Sequence, residues 1–383
     1  MSFGAEILFG DDNQPLPPEV AQWLAEVRVE HELNKPAKFA LRFEDDLCGD
    51  APAVSNRPEL RPNTMLSVMV ANGNSKDCLV RGRVTQIKSS SQLGGPGSWI
   101  EAHCLSRQVE MDRETFQVNW AGPEKDIVTS VLQGYDFQPD VKNVQDKTYD
   151  DEEQLNQRGT DFAFLNKLAS ENGVDFWISY ETSDPNPLTG ESEITEHAHF
   201  RISPEVPDGA FDIGGFELIP NDDTPSFRVN VLGDDCPNVN LFTAEVDAER
   251  PNAANGQGVD LADGAEEDAA SEESAETQGD GPTLSLVDGV QRTVAPAGPG
   301  TGEDQTRRQD AMLRASSWFV EAKVSTSAHM LGAILSPHDI IDVKGAGPEY
   351  SIPYQVKSVI HVINAADHLM DVTLRSNFIG EAA

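Results

Sequence analysis

Short runs in which apolar and polar residues alternate, separated by turn residues, constrain this chain more than any other feature. Residues 23–32 alternate with a period of two, and after an Asn-Lys-Pro turn the same period continues through 39–43. A second pair of runs, 65–70 and 78–87, lies on either side of an Asn-Gly-Asn turn. Alternation of this kind buries one face of each strand and is typical of β-hairpins. The chain is therefore predicted to be rich in antiparallel sheet.

The same pattern completes one β region and builds a second. One more strand, 99–105, follows a glycine-rich loop, so that residues 1–110 predict a small antiparallel β-barrel. Further along, the predicted strands are 226–232, 240–246, 319–327, 340–344, 354–363 and 368–375. Residues 216–249 and 305–383 are therefore predicted to form a second small antiparallel β-barrel.

Residues 111–215 have a different pattern. Apolar residues at helical spacing predict helices at 124–133 and 161–172. A strand pair follows at 174–180 and 199–202, with a polar loop between them at 184–196. The predicted class is a β-rich α+β protein, in which an α+β insert separates the two barrels.

Residues 250–304 are predicted to be an acidic low-complexity linker. Ten acidic residues and no Lys or Arg occur between Pro251 and Gln291. Because few apolar residues are available to offset the ordering entropy, the segment is expected to be a largely disordered insertion. A short strand or hairpin is expected at 283–294. An acidic tether or contact arm is the functional alternative.

Charge excludes some classes of partner. The 383 residues include 65 acidic and 28 basic ones, so the net charge is −37. This charge repels phosphates, and sequence-specific nucleic-acid binding is not expected. An acidic channel wall and a salt-adapted source both remain open as explanations. No apolar run reaches the roughly 18 residues of a membrane span, and no basic segment precedes the first apolar stretch, so synthesis in the cytoplasm is expected.

Candidate chemical sites are few. The four cysteines, Cys48, Cys78, Cys104 and Cys236, lie too far apart in sequence for a CxxC motif and are expected to be buried free thiols. His197 and His199 alternate beside Glu193 and Glu196, which would suit a metal, but no third ligand stands at a recognisable spacing. The sequence therefore predicts no catalytic, metal or cofactor residues, and no enzyme.

The block around the second predicted helix resembles a known family. Phe162, Leu165, Leu168 and Ala169 share a helical face, and a glycine stands where the helix would stop. The sequence of this block is similar to that of the phage late-control gene D proteins. These are the gp27-like baseplate hubs, which are related to the amino-terminal part of VgrG spike proteins. The matching residues are Gln157, Asp161, Phe164, Leu165, Leu168, Ala169, Gly173 and Phe176.

Weaker patterns elsewhere also resemble that family. NTMLSVMV at 63–70 and VRGRVTQI at 80–87 resemble its first barrel, and IIDVKGAG at 340–347 and YQVKSVIHVI at 354–363 resemble its closing barrel. No oligonucleotide-binding-type domain or β-helix repeat follows, so the resemblance is to the hub and not to a fused spike. The acidic segment departs from the family pattern.

The resemblance implies a structural hub of a contractile phage tail or of a phage-tail-like injection particle. It implies a homotrimer whose six barrels stack on a sixfold tail tube at one face, dock a threefold spike at the other and line the delivery channel. Other baseplate proteins would be partners, with no membrane involved. The protein would be located in the baseplate of the virion or particle, assembled in the host cytoplasm. Two alternatives stay open, namely a VgrG-like secretion tip that carries an effector and a cell-wall hydrolase that uses His197 and His199.

Overall fold

The computed structural model describes residues 4–45, 54–72, 75–92, 97–142, 147–150, 154–183, 193–202, 225–230, 236–259, 266–272, 277–279, 281–284, 292–294 and 302–380. Within this part of the chain, every helix is too short or too polar to cross a bilayer.

The first β region is a run of antiparallel neighbours. Its elements are β1 (Ala5–Phe9), β2 (Gln14–Pro15), α1 (Pro18–Ala21), β3 (Leu24–Glu32), β4 (Lys38–Glu44), β5 (Met65–Asn72), β6 (Ser75–Ser90) and β7 (Trp99–Ser106). The strands lie in the order β3-β4-β7-β6-β5-β1-β2. Alternate residues of β7, namely Ile100, Ala102 and Cys104, point into the core. Both predicted hairpins are confirmed, with strands slightly longer than the sequence indicated.

The insert contains both predicted helices. Its elements are β8 (Thr115–Trp120), β9 (Gly122–Pro123), α2 (Glu124–Gln133), β10 (Gln138–Val141), β11 (Thr148–Tyr149), β12 (Leu155–Thr160), α3 (Asp161–Asn172), β13 (Val174–Thr182) and β14 (Ile194–Ile202). β14 lies between β13, which is antiparallel to it, and β10, which is parallel. The predicted loop 184–196 is wrong at its end, because β14 already begins at Ile194. Burial of every second residue of β14 explains the longer strand.

The last region returns to sheet. Its elements are β15 (Ser226–Arg228), β16 (Leu241–Val246), β17 (Ala253–Val259), β18 (Glu266–Glu272), β19 (Arg292–Val294), α4 (Gly302–Ser317), β20 (Val320–Ser327), α5 (Ala328–Leu331), β21 (Ile340–Lys344), β22 (Pro353–Asn364) and β23 (His368–Ser376). The long strands lie in the order β16-β20-β23-β22, with β21 beside β22 and β15 beside β21. A second apolar core, which includes Phe319, Tyr354 and Leu374, lies under them.

The two β regions share one sheet. β22 pairs with β3 in an antiparallel register that runs from Ser358 opposite Glu32 to Asn364 opposite Glu26. In the described residues a single 13-stranded sheet therefore serves both cores, where the sequence predicted two separate small barrels. The pairing satisfies backbone groups that a free edge on β3 or β22 would expose. No local pattern marks this partnership.

The acidic segment also differs from the prediction of disorder. In its described residues β17 pairs with β18 and β19, and both β17 and β18 contact α4. Ala253 and Ala254 are buried, and Leu284 joins the second core. Small side chains allow close packing, and the strand ladder satisfies the backbone polar groups. The remainder of 250–304 lies outside the described residues.

Candidate assembly site at a basic cleft

The family-like residues set the position of α3. Phe164, Leu165, Leu168 and Ala169 are buried in the core of the insert together with Phe176 of β13.

Two further residues of the block, Gln157 and Asp161, form a polar chain at the start of the helix. The Trp120 indole donates to Gln157 Oε1 at 2.8 Å, and Gln157 Nε2 donates to Asp161 Oδ1 at 2.5 Å. The Tyr135 hydroxyl donates to Asp161 Oδ2 at 2.7 Å, and burial together with this bond raises the pKa of Tyr135. This block therefore holds a helix in place and brings no reactive groups together.

Gly173 ends α3 and permits a close approach to α4. Its φ of 64° is left-handed, which favours glycine at a helix C-cap. A Cβ at this position would lie 3.0 Å from the Cα of Ala311 in α4. The glycine thus allows two helices that are far apart in sequence to touch.

Three parts of the chain meet at Asp175, which lies in β13 two residues after Gly173. Asn34, in the turn between β3 and β4, donates from Nδ2 to Asp175 Oδ1 at 2.8 Å. Arg375 of β23 donates to the other carboxylate oxygen. The backbone N–H of Phe176 also donates to Asn34 Oδ1 at 2.8 Å, and the backbone N–H of Asn34 donates to the Phe176 carbonyl at 2.9 Å. We call Asn34, Asp175 and Arg375 the junction, because they join the first β region, the insert and the last β region. Sequence reasoning missed it, since no spacing pattern connects these residues.

A cavity of about 910 Å³ lies beside the junction, between α3, α4 and the shared sheet. Six cationic side chains and three carboxylates line it, with apolar residues such as Met312 and Trp318 between them. We call it the basic cleft, and its charged residues are Lys167, Glu171, Asp175, Arg250, Arg308, Arg314, Glu321, Lys357 and Arg375. An excess of cations in one cavity is unexpected in a chain of net charge −37. The cleft is therefore the strongest candidate for a site that binds an anionic group.

Buried charges fasten α4, which forms one wall of the cleft, to the insert. Arg307 of α4 lies 3.5 Å from the carboxylate of Glu124, a residue with no exposed surface. Asp304 accepts from Lys147 Nζ at 2.7 and 2.8 Å, and Tyr149 donates to Glu124 at 2.9 Å. Burial disfavours the charge of Arg307, but Glu124, Tyr149 and Asp304 outweigh it and raise the pKa of Arg307. These contacts hold α4 against the insert.

His197 and His199 lie on the face of β14 opposite to the one that packs into the core of the insert. His197 contacts Glu181 at 3.0 Å, whereas His199 Nδ1 donates to Asp140 Oδ2 at 2.8 Å. Glu196 faces the other way and binds Arg107 at 2.6 Å, so it does not join the histidines. Among the described residues, no group of three or more His, Cys, Asp or Glu side chains is arranged to hold a metal ion.

His199 also contacts a serine. When the Nδ1–H of the neutral ring donates to Asp140, Nε2 carries no proton and accepts a hydrogen bond from the Ser179 hydroxyl at 2.7 Å. The group borders a cavity of about 350 Å³. Trp177 stacks on both His199 and His338, with ring centroids 4.7 and 4.1 Å away. The sequence indicated His199 but gave no sign of Ser179 or Asp140, which come from other strands.

The cysteines form no site in the described residues. Cys78, Cys104 and Cys236 are free thiols; the first two are buried as expected, but Cys236 is exposed, so the expected burial is wrong there. Burial raises the pKa of the Cys78 and Cys104 thiols, which makes them unreactive. Cys48 lies outside the described residues.

The fold of this chain is similar to those of solved phage tail proteins. Over 97% of this chain and 98% of the other, the structure matches the 43 kDa tail protein of prophage MuSo2 from Shewanella oneidensis, with a TM-score of 0.64 at 12% sequence identity. It also matches the tail protein of Neisseria meningitidis MC58, with a TM-score of 0.59 at 9% identity over 99% and 98% of the two chains.

A third match is a secretion protein. The E. coli c3393 protein is a type VI secretion component described as structurally similar to the T4 tail proteins gp27 and gp5. It matches with a TM-score of 0.52 at 13% identity, over 94% of this chain and 76% of that one. No protein-family model matches the sequence, and no curated protein does. The chain therefore has the fold of gp27-like phage tail proteins, as the resemblance implied.

Proposed function

We propose that this protein is the structural baseplate hub of a contractile phage tail or of a phage-tail-like injection particle. The observation that carries the proposal is the match of almost the whole fold to tail proteins, over 97% of this chain and 98% of the MuSo2 protein. Three copies would form a ring that adapts the sixfold tail tube to the threefold spike. The tail tube would contact one face, the spike the other, and further baseplate proteins the rim.

The same proposal gives the location. The hub would be assembled in the host cytoplasm and would remain in the baseplate, where its acidic surface lines the channel. Cargo that carries negative charge would then slide past without binding. No membrane and no sequence-specific nucleic acid take part.

The test is the mass of the purified protein in solution by light scattering, alone and mixed with a candidate spike protein. A trimer of the 41.6 kDa chain, alone or on mixing, supports the hub. A protein that stays monomeric and does not bind the spike protein contradicts the hub proposal. Reconstruction of the particle would then show which face meets the tube.

A VgrG-like secretion tip is the second candidate, favoured by the likeness to the c3393 protein. It differs from the hub in carrying an effector through the acidic segment. Replacing Asp260, Asp263, Glu273 and Glu276 with their amides would abolish capture of that effector but would leave a hub trimer intact, because β17 and β18 keep all their residues. Co-purification from the native host, with and without these substitutions, separates the two.

We propose no catalytic role for Ser179, His199 and Asp140. Asp140 also pairs with Arg201, and the stacked Trp177 holds the imidazole in place. Ser179 lies in the regular strand β13, whose backbone N–H groups lie in the plane of the sheet. They are not directed at a group bound over the hydroxyl, so they form no oxyanion hole there. A fluorophosphonate probe should therefore leave the protein unlabelled. Labelling that disappears in Ser179→Ala would establish the hydrolase alternative instead.

A further inference from the structure

The proposed ring raises an electrostatic problem that the basic cleft can solve. Each copy carries a net charge of −37, so three copies brought together repel one another. Opposite charges must therefore face each other where the copies touch, because like charges juxtaposed across an interface cost several kcal/mol. The surface of one copy offers many carboxylates. What an interface needs is a place where cations are concentrated and accessible.

The basic cleft is such a place. Lys167 on α3 is 58% exposed, Lys357 on β22 is 39% exposed and Arg250 is 32% exposed, all at one opening. Trp318 and Met312 supply apolar surface between them. A cavity of about 910 Å³ has room for several side chains of an extended segment.

The contacts that these three cations make within the chain leave binding capacity. Lys167 lies 3.8 Å from Glu171, too far for a hydrogen bond. Lys357 binds one carboxylate, Glu321, at 3.0 Å, although an ammonium group has three donors. Arg250 uses Nε for Asp247 and Nη1 for the Trp318 carbonyl, out of five N–H donors. Each can therefore donate a hydrogen bond to a further carboxylate from another molecule.

We propose that the basic cleft of one protomer receives a carboxylate-bearing segment of the neighbouring copy in the ring. The proposal rests on the hub function above. The cleft is formed by the insert, by the first β region and by the last β region, to which α4 belongs, so the neighbour would contact all three parts of the fold at one point. The cations would bind the neighbour's carboxylates, and the apolar residues between them would pack against the stems of its side chains.

The test compares two double variants of equal net charge. Lys167→Glu with Lys357→Glu reverses two cations of the cleft. Lys76→Glu with Lys125→Glu reverses two exposed cations outside it, which do not line the cleft. Because both variants add the same negative charge, any difference reports the location of the charge. Sedimentation equilibrium would measure the trimer dissociation constant of each, and circular dichroism would establish that both are folded.

We expect the cleft variant to weaken the trimer by about 100-fold or more relative to the control variant at about 50 mM salt. At about 1 M salt, where the screening length is about 3 Å, the two variants should associate similarly. Equal dissociation constants at low salt would overturn the proposal while leaving a trimeric hub intact. A cleft variant that forms the normal trimer but loses the spike, or loses binding of a DNA oligonucleotide, would assign the cleft to that partner and would also overturn it. A wild-type protein that never forms a trimer would overturn both the hub and the cleft contact.

Discussion

At the residue scale, Gly173 shows how one side chain decides whether two distant helices touch. Its left-handed φ of 64° ends α3, and Gly332 ends α5 in the same way with a φ of 76°. The two caps differ in their surroundings. Ala311 crowds the first, whereas nothing lies within 4 Å of the Cβ position at the second. The pair therefore separates backbone strain from helix packing.

Gly173→Ala is expected to lower the free energy of unfolding by about 2–4 kcal/mol, from left-handed strain and from overpacking against α4. The matched control Gly332→Ala should cost about 1 kcal/mol, from strain alone. Denaturant unfolding of both variants would measure the difference. Equal costs would show that α3 and α4 do not pack as closely as described.

Asp175 is the second residue whose effect is disproportionate, because its carboxylate joins three parts of the chain. Asp175→Asn removes the charge that faces Arg375 and leaves the largely buried guanidinium without its carboxylate. We expect a loss of about 3 kcal/mol. The exposed pair Arg28–Glu30 supplies the control, and Glu30→Gln should change stability by less than about 0.5 kcal/mol. Calorimetry or urea unfolding of both variants measures this, and similar small losses would contradict the role of the junction.

At the element scale, the pairing of β3 with β22 is the feature that makes one sheet out of two regions. Three histidines, His31, His361 and His368, lie at this seam. His361 Nδ1 lies 3.0 Å from His368 Nε2. The His31 ring meets the His361 ring edge-on, with ring centroids 6.0 Å apart. Burial lowers the pKa of His31 and of His368 to about 4, and it lowers the pKa of His361 well below its usual value. All three are therefore neutral in the folded protein near pH 7.

These pKa values predict acid sensitivity at the seam. Between pH 6.5 and about 4 the unfolded chain binds protons at these histidines and the folded chain does not, so stability falls as pH falls through that window. His31→Leu removes one such group. We expect the variant to lose about 2 kcal/mol less than the wild type between pH 7 and pH 5, as measured by urea unfolding at each pH.

The control for this prediction is His329→Leu at an exposed position, which should leave the pH dependence of the wild type unchanged. His31 Nε2 has no hydrogen-bond partner within the described residues, so the leucine removes no bond from that atom. A His31→Leu protein with the same pH dependence as the wild type would contradict the seam argument.

At the scale of the whole molecule, net charge dominates. A charge of −37 destabilises the compact state by self-repulsion, which the cations of the basic cleft and the ion pairs of α4 offset only locally. Salt screens long-range repulsion more effectively than it weakens buried pairs such as Arg307 with Glu124. The balance gives the molecule a salt dependence opposite to that of a protein held together by surface ion pairs.

Raising sodium chloride from about 10 mM to about 0.5 M is therefore expected to stabilise the protein. A gain of about 1 kcal/mol corresponds to a rise of about 2–4 °C in Tm. Thermal unfolding followed by circular dichroism at fixed pH checks this. Chloride is chosen because sulfate also strengthens apolar burial and would confuse the two effects. A Tm that falls with added chloride would show that attractive ion pairs outweigh the repulsion.

Local patterns predicted both helices of the insert and most of the long strands of the two β regions. The spacing of apolar residues predicted α2 and α3 with the bounds that the structure has, and Gly173 marked the end of α3. Period-two alternation predicted the hairpins in the same way, because a buried strand face depends on residues that are neighbours along the chain. The resemblance of the α3 block to tail hubs also came from adjacent residues.

The rest depends on contacts between residues far apart in sequence, which local periodicity does not encode. Asn34 and Asp175, His31 and His361, and Lys167 and Lys357 each come together only when β3 pairs with β22 and the insert folds back onto them. The strands of the acidic segment form because α4 supplies a surface to pack against, which composition alone did not show. The sequence by itself thus determined the helices of the insert, most of the long strands and the family likeness. The tertiary structure decided the shared sheet, the acidic strands, the junction and the basic cleft, because these arise from strand register and long-range packing.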